Sequence, residues 1–315
     1  MCSRTFDGLP TVIMSDNVLP MVPGLPASVP PAARFMCYAS RQLPRGWGRM
    51  ILLTARIFPA LRDIEINVEG CGLMCLDLRE SICVQLFKYG HYPHQLPEDR
   101  LLSKIVRRGT IVFDIGANIG YYTRYLSNLL GNCGLVVAVE PMPRALRLLQ
   151  RNAELARSSI KVIPCAVGEC HSRGTLHEAV DLDTSRVRFT GGDDMVGVEV
   201  VAIDALADEY GQPDLIKLDI EGAELQALRG AKQVLSGPDP PVILFEYIDH
   251  NAAHYEGYAL RDVVQSLMSY KQAGYIVFRV GSPMKLMDWD TVALPGLTND
   301  YLAVPLCKSN RLGSL

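Results

Sequence analysis

From residue 111 onward the chain repeats one unit, a short apolar run followed by a stretch of helical period. The runs lie at 111–114, 135–139 and 160–164, with helical patterns over 120–130 and 143–156 between them. Runs this short and apolar throughout read as strands buried on both faces. Strands that alternate with helices require a mainly parallel sheet covered on each side, an α/β architecture. The pattern resumes with "DLIKLDI", a helix over "GAELQALRGAKQVL", the strand "PVILFEY" and a helix over "LRDVVQSLMSYKQAG". Two closing strands, "YIVFRV" and "YLAVP", have no convincing helix between them and are expected to form an antiparallel hairpin. Residues 174–203 fit the scheme less well: "VGVEVVAI" reads as a strand and Gly191-Gly192 as a turn.

Appendages flank this core. Residues 1–48 carry prolines at 10, 20, 23, 26, 30, 31 and 44, which remove helix donors and ladder bonds, so a flexible leader is expected. From Asn17 to Arg62 there is no Asp or Glu, whereas Arg34, Arg41, Arg45, Arg49, Arg56 and Arg62 are cationic. An organelle transit segment has such a composition, although serine is sparse; a basic solvated tail is the plainer reading. Residues 47–62, "WGRMILLTARIFPALR", leave two readings open: a helix packed on the domain, or a peripheral contact with a membrane surface. Residues 49–108 continue with a hairpin over "IEINVEGCGLMCLDL" and a helix over "PEDRLLSKIVRRG", begun by Pro97 and stopped by Gly109. This lead-in reads as a candidate cap on the acceptor side of a core spanning 109–308, with 309–315 as a tail.

Composition narrows the function classes. A net charge of −3, with no zinc-finger spacing and no RNP-type string, argues against nucleic acid as a partner. Nine cysteines without a CxxC pair, and no Asn-x-Ser/Thr acceptor, fit a reducing compartment better than an oxidised scaffold. Cys71, Cys75, Cys83, His91 and His94 lack the paired spacing of a zinc site and read as ordinary thiols and loop histidines. No apolar run reaches the roughly 18–20 residues of a membrane span, and a cytoplasmic protein is expected.

In an open α/β sheet the ligand sits beyond the carboxyl ends of the strands, and here those ends carry acids. Asp114, Glu140, Asp219 with Glu221, and Glu246 each follow an apolar run. The first turn, "VFDIGANIGYYT", places Gly116, Asn118 and Gly120 where a tight turn and close backbone approach admit a ligand. Glu140, followed by Pro141, lies 20 residues past Gly120, a distance at which an acid commonly accepts ribose hydroxyls. A dinucleotide prefers G-x-G-x-x-G, whereas this turn reads G-A-N-I-G, and Asp114 would repel a pyrophosphate. The acids suit S-adenosyl-L-methionine instead: an ammonium near Asp114, a sulfonium among carboxylates, and a ring face from Tyr121 or Tyr122.

These residues resemble the FkbM-type family of class I S-adenosylmethionine-dependent methyltransferases. The resemblance spans roughly residues 64–305 and rests on "FDIGANIGYYT", "VAVEPMPRALRLLQRN", "VVAIDAL", "LIKLDIEGAELQALRGA", "ILFEY" and "NDYLAVP". It implies a Rossmann-like doubly wound sheet, mostly parallel and ending in the antiparallel hairpin. It also implies O-methylation of a hydroxyl, or sometimes a carboxylate, on a small molecule, glycan or peptide. Met142 stands where the family string usually has Asn, and Ala156 where a second Asn is common.

The expected cofactor set is Asp114, Gly116, Asn118, Gly120, Glu140 and Pro141; the expected catalytic acids are Asp219, Glu221 and Glu246. Helix capping competes for these acids and fits Glu224 best. Asn152 reads either as a surface helix residue or as a structural or pocket contact, and His250 and His254 read as exposed loop histidines, with a base role as the alternative. No spacing assigns a metal, although carboxylates at strand ends are able to hold Mg²⁺. A nicotinamide-dependent oxidoreductase, and a non-catalytic binding protein on the same fold, are the rival classes.

Overall fold

The computed structural model describes residues 29–42, 47–93, 96–156, 158–177, 186–188, 196–252, 257–281, 285–286 and 299–314. Helices α1 (Pro31–Gln42) and α2 (Trp47–Ile57) and a 3-10 turn (Pro59–Leu61) precede the hairpin of β1 (Ile64–Val68) and β2 (Gly72–Leu76). Helices α3 (Ser81–Tyr89) and α4 (Leu96–Ile105) lead to β3 (Ile111–Ile115), α5 (Tyr121–Leu130), β4 (Leu135–Val139), α6 (Pro143–Glu154) and β5 (Ser159–Ile163). Four strands then form a separate sheet: β6 (Ala166–Val167), β7 (Ser172–His177), β8 (Arg186–Arg188) and β9 (Val196–Val201). The core resumes with α7 (Ile203–Tyr210), β10 (Leu215–Leu218), α8 (Glu224–Arg229), α9 (Lys232–Ser236), β11 (Val242–Glu246), α10 (Asp249–Ala252) and α11 (Leu260–Ser269). It closes with β12 (Ile276–Arg279), β13 (Lys285–Leu286), β14 (Asp300–Val304) and a 3-10 segment (Leu306–Ser314).

The main sheet has the order β13-β12-β14-β11-β10-β3-β4-β5. Strands β5, β4, β3, β10 and β11 run parallel, while β14 and β12 run antiparallel to the neighbours they join. The late hairpin is therefore present, with β14 inserted between β11 and β12. The chain winds from β3 outward to β5, then returns to β10 on the other side of β3. That reversal opens the crevice where such sheets bind ligands.

Successive residues of each strand feed opposite cores, as a two-faced sheet requires. Val112, Val136 and Leu215 belong to one buried cluster, and Phe113, Val137 and Ile216 to the other. The first cluster also takes in the N-terminal hairpin and helices, so the lead-in folds onto one face of the sheet.

Several expectations are corrected. Residues 31–42 are not leader but helix, because Pro31 occupies the first helical position, where no donor is missed. Ala33 and Cys37 are buried, and the Cys37 thiol donates to the Phe87 carbonyl of α3 at 3.1 Å. Residues 1–28 lie outside the described residues, as does the Gly191-Gly192 turn. The single helix expected over 222–235 breaks at Gly230, where a Cβ would lie 2.2 Å from the Gly168 carbonyl oxygen. The ambiguous stretch belongs to the second sheet, in which β9 pairs parallel with β6 and antiparallel with β7. The tail is anchored: Arg311 grips both oxygens of Asp214 at 2.7 and 2.8 Å. No helix among the described residues is long and apolar enough to cross a membrane.

Candidate active site

The turn after β3 is built from protein contacts first. Gly116 has φ +83, and a Cβ there would fall 1.8 Å from the Asp219 carbonyl oxygen, so its smallness serves the contact between the ends of β3 and β10. At Gly120, φ +90, an added Cβ would come within 2.9 Å of Leu149 of α6. Both glycines were expected to make room for ligand; the close approach is instead to the protein itself. Asn118 adopts φ 50, left-handed backbone that asparagine tolerates better than bulky residues.

Four amides of this turn are also committed. Gly116 and Ala117 donate their amides to the Val139 carbonyl at 3.0 Å, Gly120 donates to Ala117, and Asn118 donates to Glu140 Oε2 at 2.8 Å. Glu140 takes a second amide, from Met142, on Oε1 at 2.8 Å. It thus ties the turns after β3 and β4 together, and any ribose contact must use its remaining lone pairs. Burial pushes Glu140 up to about 7, against the two amides that favour its ionised form. Pro141 follows it half-buried, and α6 begins at Pro143 with Met142 as its N-cap.

What the turn leaves open is acceptors. Asp114 is wholly buried; its Oδ2 accepts the Thr123 hydroxyl at 2.5 Å, while Oδ1 has no partner. Burial raises Asp114, opposed by the Lys217 charge and the Thr123 hydrogen bond. Asn118 Oδ1 is likewise buried and unpartnered. Buried acceptors of this kind demand donors. The ammonium and hydroxyls of an amino-acid nucleoside supply them, and a diphosphate, which carries only acceptors, does not.

Behind the turn Asn152 acts as a pin. It accepts the Cys75 amide at 2.6 Å and donates to the Cys75 carbonyl at 3.1 Å and the Ile119 carbonyl at 2.8 Å. It joins α6, β2 and the glycine turn, and so is structural.

Beside the turn lies a cavity of about 150 Å³ lined by Tyr92, Glu98, Tyr122, Lys217, Asp219, Leu244, Glu246 and Asp300 among others. Lys217 sits in a strand whose other residues are apolar, and its Nζ lies 2.8 Å from Asp219 Oδ2 and 4.4 Å from the Tyr122 ring centroid. The ring face expected for a sulfonium is thus occupied by an ammonium. Burial works against the Lys217 charge, but Asp219 and Asp114 outweigh it and hold Lys217 above its ordinary value. Burial, then Asp219, Asp300 and Glu221, push Glu246 past neutrality, far above the ordinary carboxylate range. Burial and hydrogen bonding to Asp300 do the same to Glu98.

Asp219, Glu221 and Glu246 do converge: each offers an oxygen within 4.8 Å of the others, a grouping able to hold a metal ion. Their surroundings differ. Glu221, at φ 54, accepts from the Asn251 side-chain amide and does not line the cavity. Glu224 is the capping acid, taking the Gly222 amide at 3.1 Å and the Tyr258 hydroxyl at 2.9 Å. His254 and His94 lie outside the described residues, and Cys71, Cys75 and Cys83 are buried core thiols.

Sequence reasoning missed Lys217, Glu98, Tyr92 and Asp300. Lys217 had a signal, a lone charge inside an apolar strand. Asp300 had none under a rule about carboxyl ends, because β14 runs antiparallel and brings its first residue opposite Glu246.

This strand order, with acids lining the carboxyl edge beside the switch point, defines the class I methyltransferase fold. The chain matches the Methyltransferase FkbM domain over residues 114–277, more than half its length, and belongs to that family. It is similar to the methyltransferase sdnD of Sordaria araneosa, at 31% identity over 39% of this chain and 60% of that protein. It is also similar to the hexuronic acid methyltransferase AglP of Haloferax volcanii, at 27% identity over 43% of this chain and 56% of that protein. The chain thus spans less than two thirds of either relative. Among solved structures, an S-adenosylmethionine-dependent O-methyltransferase from Thermotoga maritima aligns over 78% of this chain and 86% of its own, with TM-score 0.38 and 11% identity.

Proposed function

We propose that this protein is an S-adenosyl-L-methionine-dependent O-methyltransferase acting on a hydroxyl of a small-molecule, glycan or peptide acceptor. The observation that carries the reading is the polarity of the first turn: the amides of Gly116, Ala117, Asn118 and Gly120 committed to protein, and acceptors at Asp114 and Asn118 open and buried. Asp114, Asn118 and Glu140, beside Gly116, Gly120 and Pro141, would hold the cofactor, which when bound supplies an activated methyl group.

The cavity then orients the acceptor. A hydroxyl held beside Asp219 gives up its proton to that carboxylate as the new bond forms, since an alkyl hydroxyl is too weak an acid to ionise first. Lys217, 2.8 Å from Asp219 Oδ2, holds that carboxylate in place. Glu246, protonated at neutrality, donates a hydrogen bond and aligns the acceptor oxygen; alignment supplies most of the rate gain. Glu221 holds the turn through Asn251 and acts at one remove. A carboxylate acceptor would meet several acids in this cavity, which favours a hydroxyl, whereas the relative named for hexuronic acid leaves sugar acids as an acceptor class to try.

Calorimetry decides the cofactor. S-adenosylmethionine should bind and NAD should not; the reverse overturns the reading in favour of an oxidoreductase. Incubation with labelled S-adenosylmethionine and a cell extract then identifies the acceptor by its labelled product, and binding without transfer would mark a non-catalytic protein.

A further inference from the structure

We propose that the N-terminal helices form a docking face for an anionic lipid bilayer. Among the described residues nine large apolar side chains are exposed, and six of them, Phe35, Tyr38, Met50, Leu53, Ile57 and Phe58, lie in or just after α1 and α2. The remaining three are scattered over the chain. Helix α2 is the clearest case. One face is core, with Ile51 and Ala55 fully buried. At about 100° per residue the opposite face carries Leu53, Ile57 and Met50 in one stripe. Leu53 is 58% exposed and Ile57 72% exposed. An outward helix face on a globular body is ordinarily polar, so a stripe of this kind marks a contact surface.

Charge selects the occupant. On the same helical projection Arg49 and Arg56 fall within about 20° of each other along one border of the stripe, and both are exposed. No acid occurs from Asn17 to Arg62. Apolar side chains between an arginine border and a protein core match the boundary between phosphate headgroups and acyl chains. A second copy of the chain would set arginine against arginine, and a basic partner would meet the same repulsion. The face is therefore assigned to an anionic membrane, held reversibly, since its apolar content is that of a surface contact.

The test is cosedimentation of the full chain with vesicles. Binding is expected to vesicles of phosphatidylcholine with phosphatidylserine, to be weak on phosphatidylcholine alone, and to fall as salt rises. Reversing the border, Arg49→Glu with Arg56→Glu, should lower partitioning at least about tenfold. Leu53→Ser with Ile57→Ser should lower it comparably, and circular dichroism and the unfolding midpoint should stay as in wild type. If the serine pair fails to fold, the exposed arginine pair still decides. The proposal is overturned if wild type ignores phosphatidylserine vesicles, if the arginine pair binds as wild type does, or if sedimentation equilibrium shows a dimer that the serine pair dissolves while vesicles capture nothing. None of these outcomes depends on cofactor binding.

Discussion

The two halves of the site are built on opposite principles. Around the turn after β3, the supporting groups are tied to backbone, Glu140 to two amides, Asn152 to three groups and Gly116 against a carbonyl, and only the acceptors of Asp114 and Asn118 stay open. Around the ends of β10, β11 and β14, titratable side chains face a cavity and answer one another: Lys217 to Asp219, Glu246 to Asp300, Glu98 to Asp300. The first half is fixed by sterics and hydrogen bonds, and a substitution there should cost structure. The second is set by electrostatics, and a substitution there should change chemistry while the fold survives.

Gly116→Ala tests the first half most severely. A methyl group 1.8 Å from the Asp219 carbonyl oxygen, on backbone at φ +83, forces β3 and β10 apart. The expected loss is about 4 kcal/mol or more, read as a large fall in the unfolding midpoint or as insoluble protein. A variant as stable as wild type would show that the two strand ends do not meet as described.

Asp219→Asn tests the second half. Asparagine keeps a hydrogen bond to Lys217 but removes the proton acceptor. Methyl transfer should fall by about 10²-fold or more, with the unfolding midpoint and S-adenosylmethionine affinity nearly unchanged. If cofactor affinity falls with the rate, Asp219 belongs to the tied half and the division fails.

How much of this was legible in the sequence follows the same division. Strand ends and helix starts in the Rossmann-like core could be read because their period, glycines and flanking acids are local signals; β4 spans the run at 135–139. The positions of Asp114, Glu140, Asp219 and Glu246 at strand ends followed from the α/β pattern. What local pattern could not give was partnership. Nothing around Gly116 says that its neighbour is Asp219, over a hundred residues away, or that Asn152 reaches Cys75. Glu98 reads as a first-turn helix acid until α4 is placed over the cavity. The helix at 31–42 was hidden because Pro31 counts against it in composition and favours it by position.

Glu246→Gln sharpens the comparison by its small effect. With its carboxyl protonated at neutral pH, Glu246 already resembles glutamine in shape and as a donor, so transfer at pH 7 should stay within about threefold of wild type. A rate change confined to alkaline pH, where the wild-type carboxyl ionises, would support the protonated state. A hundredfold loss at neutrality would instead make Glu246 the base and reverse its role with Asp219.

The smallest effect is on stability and runs with pH. Glu140 and Glu224 rise from 4.5 to about 7 on burial, and Glu98 and Glu246 rise further in the same direction, so between 4.5 and 7 the folded protein holds protons that the unfolded chain has released. Stability must then fall as pH rises through that window, and below about 4.5 these groups add no slope. Asp214, lowered by Arg311 and Lys308 against its burial, acts only at more acid pH and does not cancel the trend. Calorimetry should find the unfolding midpoint a few degrees higher at pH 5.5 than at pH 8. Glu140→Gln should remove part of the slope, because the tied half contributes through that residue. A midpoint that climbs with pH over the same range would mean that Glu140 and Glu224 are ionised within the fold, and that the amides around them stabilise charge more than burial opposes it.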